Sequence, residues 1–410
     1  YENIRLLGEK SIILEEKLSR VYPQENLFSH IIGQIDDENN GISGIEKSYD
    51  YELKTRKKPL ELTVDTDIQF LIREELLKFQ NIFNSTGSAA ILMNVNSGNI
   101  ISIVSIPDFN LNKRQQIKDS KFFNRATKGV YELGSVFKTF TLAAAINEKV
   151  VEPNTSFENL PKSIMCAGRS IREYDDEIPE NLTAEEILIR SGNIGSVRIA
   201  QKIGIENFKN FFKKIGVLNK IQFDIDEIGQ PISFRWGKCK LATSSYGHGI
   251  TTTPLQLAKG YAIITNGGYD VKPTLIKKKL KNNKNKILSN GVSEKINPIL
   301  RKVVSTKEGT AGFANIRGYQ VGGKTGTAQK SLAGKYSKTK INTFAAIFPT
   351  SKPKYVLIVL LDEPKPNKEY IYHFKDGSNW KYKGTAFNTA GWTSVEVAGK
   401  IIEKIGPILA

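Results

Sequence analysis

Three short segments of this 410-residue chain carry side chains that could act on one another. The first, Gly134-Ser135-Val136-Phe137-Lys138, runs into the Ala-rich stretch Thr139 to Ile146. If Ser135 opens a helix, Lys138 follows three residues later and shares its face. A serine hydroxyl is a poor nucleophile until a base takes its proton, and a neutral lysine can do so. The start of a helix adds partial positive charge where an oxyanion would form. The spacing serine-x-x-lysine is common by chance, and alone it equally describes an N-cap serine followed by a surface lysine.

The second segment is Ser191-Gly192-Asn193, between two helical stretches. By composition it is a turn; read chemically, it offers a hydroxyl that relays a proton and an amide that binds a carbonyl. The third is Lys324-Thr325-Gly326-Thr327, after Val321-Gly322-Gly323. A cation and two hydroxyls suit a carboxylate, and Gly326 lets a substrate backbone come close. Gly318 to Thr325 also fits the phosphate-loop pattern literally. Against that reading, Tyr319-Gln320-Val321 is strand-like where the phosphate cradle should be, and Gly326 breaks the helix that should follow. Together and in this order, the three motifs are far more specific than any one of them.

These residues need a fold to hold them, and the composition allows one: 40% hydrophobic and 25% charged residues are ordinary for a globular chain. The excess of 59 basic over 42 acidic side chains, a net +17, fits either a solvated lysine-rich surface or one working beside an anionic polymer or membrane. No arginine-rich or aromatic-interleaved basic segment points to nucleic acid. Cys166 and Cys239 form no CxxC pair, which argues against a disulfide framework and a cysteine zinc site. His30, His248 and His373 are too scattered for a histidine metal site, and no cofactor is called for. The longest apolar run, Tyr355 to Leu361, is strand-sized, well short of the roughly 18–20 residues that span a bilayer. The numbering opens at Tyr1, which leaves room for an N-terminal anchor ahead of it.

The pattern predicts an apolar helical stretch over Ile12 to Val21 and a Gly-rich segment from Gly33 to Gly44. A strand follows over Leu60 to Val64, then an amphipathic helix over Asp65 to Asn84. Ser88 to Val95 and Ile100 to Ile106 flank Asn96-Ser97-Gly98-Asn99 as a hairpin. Residues 121–290 read as mainly helical, with helix starts at Thr183 and at Thr253-Pro254. Strands return over Tyr319 to Gly322, Thr343 to Phe348 and Lys354 to Leu361, and a helix covers Thr393 to Ile405. Strands enclosing a helical middle predict an α+β fold with a mostly antiparallel sheet. A texture change near residue 58 separates residues 1–58 from 59–410.

With Tyr131 to Lys138, Arg235-Trp236, Ser245 to Ile250, Thr253 to Leu257 and Gly323 to Gln329, the chain resembles the class B penicillin-binding proteins. Within them it is similar to the division-specific, septal D,D-transpeptidase. The family usually has a serine where Gly192 stands and often a proline at Thr139. The resemblance implies the penicillin-binding transpeptidase (serine β-lactamase-like) fold over residues 59–410. It also implies that residues 1–58 are the C-terminal part of an N-terminal pedestal domain.

The activity it implies is cross-linking of D-Ala-D-Ala stem peptides through an acyl-enzyme on Ser135, blocked covalently by β-lactams. Lys138 would be the base and Ser191 the proton relay. Asn193, Lys324, Thr325, Gly326 and Thr327 would bind substrate, and His248 would be a packing or supporting histidine. The same resemblance implies division-protein partners including a glycosyltransferase, and a membrane anchor ahead of the chain with the catalytic domain in the periplasm. Other readings remain open: an elongation-specific transpeptidase, a D,D-carboxypeptidase, a serine β-lactamase using Glu227, or a non-enzymatic β-lactam-binding scaffold.

Overall fold

The computed structural model describes residues 19–113, 120–278, 285–332 and 335–410, with isolated positions before residue 19. The apolar stretch expected over Ile12 to Val21 falls outside the described residues except at its end. Three short helices come first: α1 (Ser29–Ile32), α2 (Gly44–Ser48) and α3 (Asp50–Thr55). Then α4 (Thr66–Ile82) begins where the Asp65 carboxylate accepts from the Asp67 and Ile68 backbone N–H groups, each at 3.0 Å. Ile68, Ile72, Leu76 and Phe79 form its buried stripe. Strands β1 (Gly87–Asn94) and β2 (Ile100–Ile106) form the expected hairpin, whose turn closes as Asn94 Oδ1 accepts from Asn96 and Ser97.

The middle of the chain is mainly helical, as expected. It contains α5 (Phe137–Asn147), α6 (Ala184–Ile189), α7 (Asn193–Ile203), α8 (Ile205–Lys214), α9 (Lys238–Ser244) and α10 (Pro254–Thr265). Two small strand pairs interrupt it: β3 (Ser156–Phe157) with β6 (Leu182–Thr183), and the hairpin β4 (Ser163–Cys166) and β5 (Arg169–Arg172). Both expected helix starts form, and each is a capping box, Thr183 with Glu186 and Thr253 with Gln256. Helix α5 is buried from Phe137 to Ile146, its polar Lys138, Thr139 and Thr141 included, so it sits inside the helical layer. Its Phe137 and Phe140 rings lie 5.9 and 6.0 Å from Phe212 of α8.

Helix α11 (Val292–Ser305) was not legible, because an interior proline, here Pro298, argues against a helix. Its buried Ile296, Ile299, Leu300, Val303 and Val304 outweigh that penalty. The chain closes with β7 (Gly322–Leu332), β8 (Lys335–Phe348), β9 (Tyr355–Asp362), β10 (Ile371–His373), β11 (Lys381–Lys383) and α12 (Ser394–Leu409). The main sheet has the order β2-β1-β9-β8-β7 and is antiparallel throughout, which gives the α+β class. Central β9 is buried from Val356 to Asp362, so both faces of the sheet are covered. Helices α4 and α12 pack together against it, as do α10 and α11.

Three expectations need correction. Leu60 to Val64 is not a strand: Leu62 makes one isolated bridge to Ile276, and Thr63 spends its groups on the Ile100, Thr274 and Leu275 carbonyls. The strand expected over Tyr319 to Gly322 begins at Gly322, because Tyr319 N–H turns back onto the Ile316 carbonyl. It then runs on through Lys324 to Thr327, a polar stretch that lacks the apolar alternation of a strand. Lastly, the two cysteines, for which the sequence offers no pairing, join β4 to α9 as the Cys166–Cys239 disulfide, with Cα atoms 5.6 Å apart. Among the described residues no helix is long and apolar enough to cross a membrane.

The loop after α9 packs directly on the turn before α5. Gly247 adopts φ +81°, and a Cβ there would lie 2.0 Å from the Gly134 carbonyl oxygen. Both the left-handed backbone and the backbone contact exclude a side chain. Gly247→Ala should therefore destabilise the protein by at least about 1–3 kcal/mol, the usual range for one strained backbone position. Thermal denaturation beside the parent chain measures this, and an unchanged melting temperature would contradict the packing described.

Candidate active site

Ser135 lies within the 3-10 turn Gly134–Val136, immediately before α5. The turn is anchored from behind: the Tyr261 hydroxyl donates to the Val136 carbonyl at 2.8 Å and meets the Thr139 hydroxyl at 2.9 Å. Ser135 is half-buried and lines a cavity of about 950 Å³. One turn later, Lys138 is 2% exposed. Its amine donates to Asn193 Oδ1 at 2.7 Å, to Ser191 Oγ at 3.2 Å, and to the Ser191 carbonyl. Burial pulls the Lys138 pKa from 10.5 down to about 7, with the Glu173 carboxylate acting in the opposite direction.

A second buried amine approaches from the sheet. Lys324 on β7 is fully buried and donates to Ser191 Oγ at 2.8 Å and to the Thr325 carbonyl at 3.2 Å. Its pKa falls well below 10.5, first through burial and then through the charge of Lys138. Ser191 Oγ therefore receives hydrogen bonds from two lysines. The backbone there is unusual: Ser191 has φ +62° at the end of α6, where Gly192 N–H bonds the Ile187 carbonyl. Helices usually place glycine at such a left-handed position.

Asn193 opens α7, and its amide is fixed on both sides. Nδ2 donates to the Arg172 carbonyl at 2.8 Å, which turns Oδ1 toward Lys138. Strand β7, at the edge of the sheet, passes so close to the turn that carries Ser135 that a Cβ on Gly326 would lie 2.1 Å from the Leu133 carbonyl oxygen. Thr325 shares a 2.7 Å hydroxyl contact with Thr310, and Thr327 Oγ1 accepts from Ala390 N–H at 2.9 Å.

The fold thus gathers all eight sequence-predicted residues. Ser135, Ser191, Asn193, Thr325 and Thr327 line the cavity; Lys138 and Lys324 stand behind them; Gly326 lets the strand close on the turn. His248 is not a core residue: it lines the cavity, stacks between Tyr246 and Tyr336, and has Nδ1 3.6 Å from Glu132 Oε2. Burial lowers its pKa, with Glu132 opposing. Glu173 and Thr310 were missed. Nothing in local spacing ties Glu173 to position 193, because a separate hairpin delivers it. Thr310 precedes Lys324 in a Gly-rich run with no pattern of its own. Among the described residues lining the cavity none is Asp or Glu. The Glu227 carboxylate points elsewhere, accepting from Gly44 N–H at 3.0 Å.

Comparison with known proteins bears on the fold and the family. The penicillin-binding protein transpeptidase domain matches residues 88–378. A probable peptidoglycan D,D-transpeptidase FtsI from Caulobacter vibrioides is 30% identical over 419 residues, an alignment spanning 98% of this chain and 68% of that protein. The transpeptidase domain of penicillin-binding protein 3 from Burkholderia pseudomallei superposes with a TM-score of 0.72 at 26% identity, over 85% of this chain and 96% of that one. Penicillin-binding protein 3 from Mycobacterium tuberculosis, solved with aztreonam, shares the fold with a TM-score of 0.80 at 24% identity, over 95% of this chain and 90% of that one. The family match over residues 88–378 and the relative aligned along nearly the whole chain agree with the antiparallel sheet and flanking helices described above, and the chain belongs to the penicillin-binding-protein transpeptidase family.

Proposed function

We propose that in this peptidoglycan D,D-transpeptidase Ser135 is the acylated nucleophile, Lys138 its base and Ser191 the proton relay. The observation that carries this reading is the hydroxyl of Ser191 held between two buried amines. A hydroxyl accepts two hydrogen bonds and donates one. With both acceptor positions taken by Lys138 and Lys324, its own hydrogen is left to point toward the cavity. Ser135 Oγ attacks the penultimate D-Ala carbonyl and passes its proton to the neutral Lys138 amine. The proton then moves through Ser191 to the departing D-Ala nitrogen as the peptide bond breaks. In the second half, an amine of a neighbouring stem peptide gives its proton back along the same path and takes the acyl group.

Lys324, Thr325 and Thr327 hold the terminal carboxylate of the donor, and Asn193 aligns its amide. Gly326 brings β7 against the Ser135 turn, and an extended donor peptide would lie along the edge of that strand. The Ser135 and Thr327 backbone N–H groups would receive the oxyanion. Likeness to FtsI supports a septal over an elongation role. The Cys166–Cys239 disulfide supports an oxidising compartment, consistent with a periplasmic catalytic domain anchored to the inner membrane, where division proteins including a glycosyltransferase would be its partners. On this reading residues 1–58 end a pedestal domain and residues 59–410 form the catalytic one. The described lining residues include no carboxylate, which favours transfer to an amine over hydrolysis, since deacylation by water needs a general base on the acyl-enzyme.

A fluorescent penicillin should label the chain one-to-one, and Ser135→Ala should abolish labelling on a denaturing gel; equal labelling of the variant would exclude Ser135. Lys138→Ala should slow acylation by about 10²–10⁴, the usual contribution of a general base. Lys138→Arg should not restore it, because arginine stays protonated. The rate should climb as pH rises through about 7, where the Lys138 amine becomes neutral, and level off above. A rate that falls over that range would contradict the base. After a penicillin pulse and drug removal, intact mass should show the adduct persisting for many minutes; release within seconds would mean a hydrolase.

A further inference from the structure

The side chains around Lys138 depend on a residue outside the three motifs. Glu173 directly follows β5, the second strand of the β4–β5 hairpin, and its carboxylate faces the first turn of α7. Glu173 Oε2 accepts from Asn193 N–H at 2.6 Å and Oε1 from Ile194 N–H at 2.8 Å. Two otherwise unpaired N–H groups at the helix start are thus satisfied by one carboxylate, and its charge complements the positive end of the helix. The preceding residue completes the grip, since the Arg172 carbonyl holds Asn193 Nδ2 at 2.8 Å. Three hydrogen bonds from one end of the hairpin therefore fix both the backbone and the side chain of Asn193.

The hairpin itself is pinned at its other end. Cys166, the last residue of β4, is bonded to Cys239 in α9. On the far side, the Tyr174 hydroxyl donates to the Arg190 carbonyl at 2.8 Å, one residue before Ser191. The N-cap of α7 cannot share this role, because Gly192 has no side chain to cap with, and Glu173 Oε1 lies 3.6 Å from where its Cβ would stand. The capping of α7 is thereby handed to a residue 20 positions earlier in the chain.

We infer that Glu173 is a positioning residue for acylation: carried by the disulfide-anchored β4–β5 hairpin, it clamps the start of α7 so that Asn193 Oδ1 meets the Lys138 amine. The inference rests on the reading of Lys138 as the base. The charged groups facing Lys138 are Glu173 from the hairpin and Lys324 from β7, so removing the carboxylate leaves only a cation there. Glu173→Gln keeps the shape but loses the charge and one of the two acceptors. Two effects follow. The clamp loosens, and the neutral form of Lys138 is favoured at lower pH, because the influence that raised its pKa is gone.

The experiment measures the acylation rate by a fluorescent penicillin from pH 5 to 9 for the full chain and for Glu173→Gln. Final labelling of one per chain verifies folding. The expected result is a fall of about tenfold on the plateau, in line with losing a charge-assisted hydrogen bond, together with a shift of the rising limb to lower pH. A wild-type profile would overturn the inference, and so would uniform slowing with the limb in place, which signals only a damaged hairpin. Breaking the tether, with Cys166→Ser and Cys239→Ser together, should slow the parent chain and add little to Glu173→Gln, as expected for residues acting through one contact. Equal, independent slowing in both backgrounds would refute the tethered clamp. If instead Lys138→Ala labels at the parental rate, the reading of the base has failed, whatever Glu173 does.

Discussion

Two lysine amines, both removed from water, share the hydroxyl of one serine, and most of the architecture serves that arrangement. A depression of Lys138 from 10.5 to about 7 corresponds to a loss on the order of 5 kcal/mol for its charged form. Such a loss is sustained only where the surroundings are packed tightly enough to exclude water. Helix α5 is accordingly buried along almost its whole length, and β7 crosses the Ser135 turn at a distance only glycine permits. The neighbouring groups that meet the amines are mainly neutral acceptors, the oxygens of Ser191, Asn193 and Thr325. A carboxylate in direct contact would have kept Lys138 protonated; Glu173 reaches it one residue removed, through Asn193.

The cavity in front of these groups has a complementary character. Among its described lining residues the ionisable ones are basic or phenolic, including His248, Lys307 and Lys340, and none is acidic. A peptide ending in a carboxylate is attracted into such a space, whereas a cationic one is not. The net charge of +17 extends that bias over the molecule and suits an enzyme whose substrate belongs to an anionic polymer.

Reading the chain alone recovered the parts that obey local rules. The hairpin at Asn96 to Asn99, the helix starts at Thr183 and Thr253, and the three motifs all depend on residues within a few positions of each other. What escaped depends on distance or on competition between rules. Glu173 is separated from Asn193 by a loop, strand β6 and helix α6, and Cys166 from Cys239 by 73 residues. Helix α11 carries a proline that local propensity counts against, although six buried aliphatic side chains decide the matter. Strand β7 is rich in glycine and polar residues, and its extended form is imposed by the ladder to β8 and not by its own composition.

On the proposed mechanism, Ser191 combines a proton-relaying hydroxyl with a backbone conformation that glycine would adopt without cost. Chain folding and chemistry therefore make opposite demands on one position. Any drift toward a more relaxed chain at this point erases the hydroxyl, so the most conformationally comfortable sequence is chemically silent. The enzyme must keep a permanently tense residue at its centre, and the remaining stability of the domain has to come from elsewhere, chiefly the doubly covered sheet and the aromatic contacts around α5.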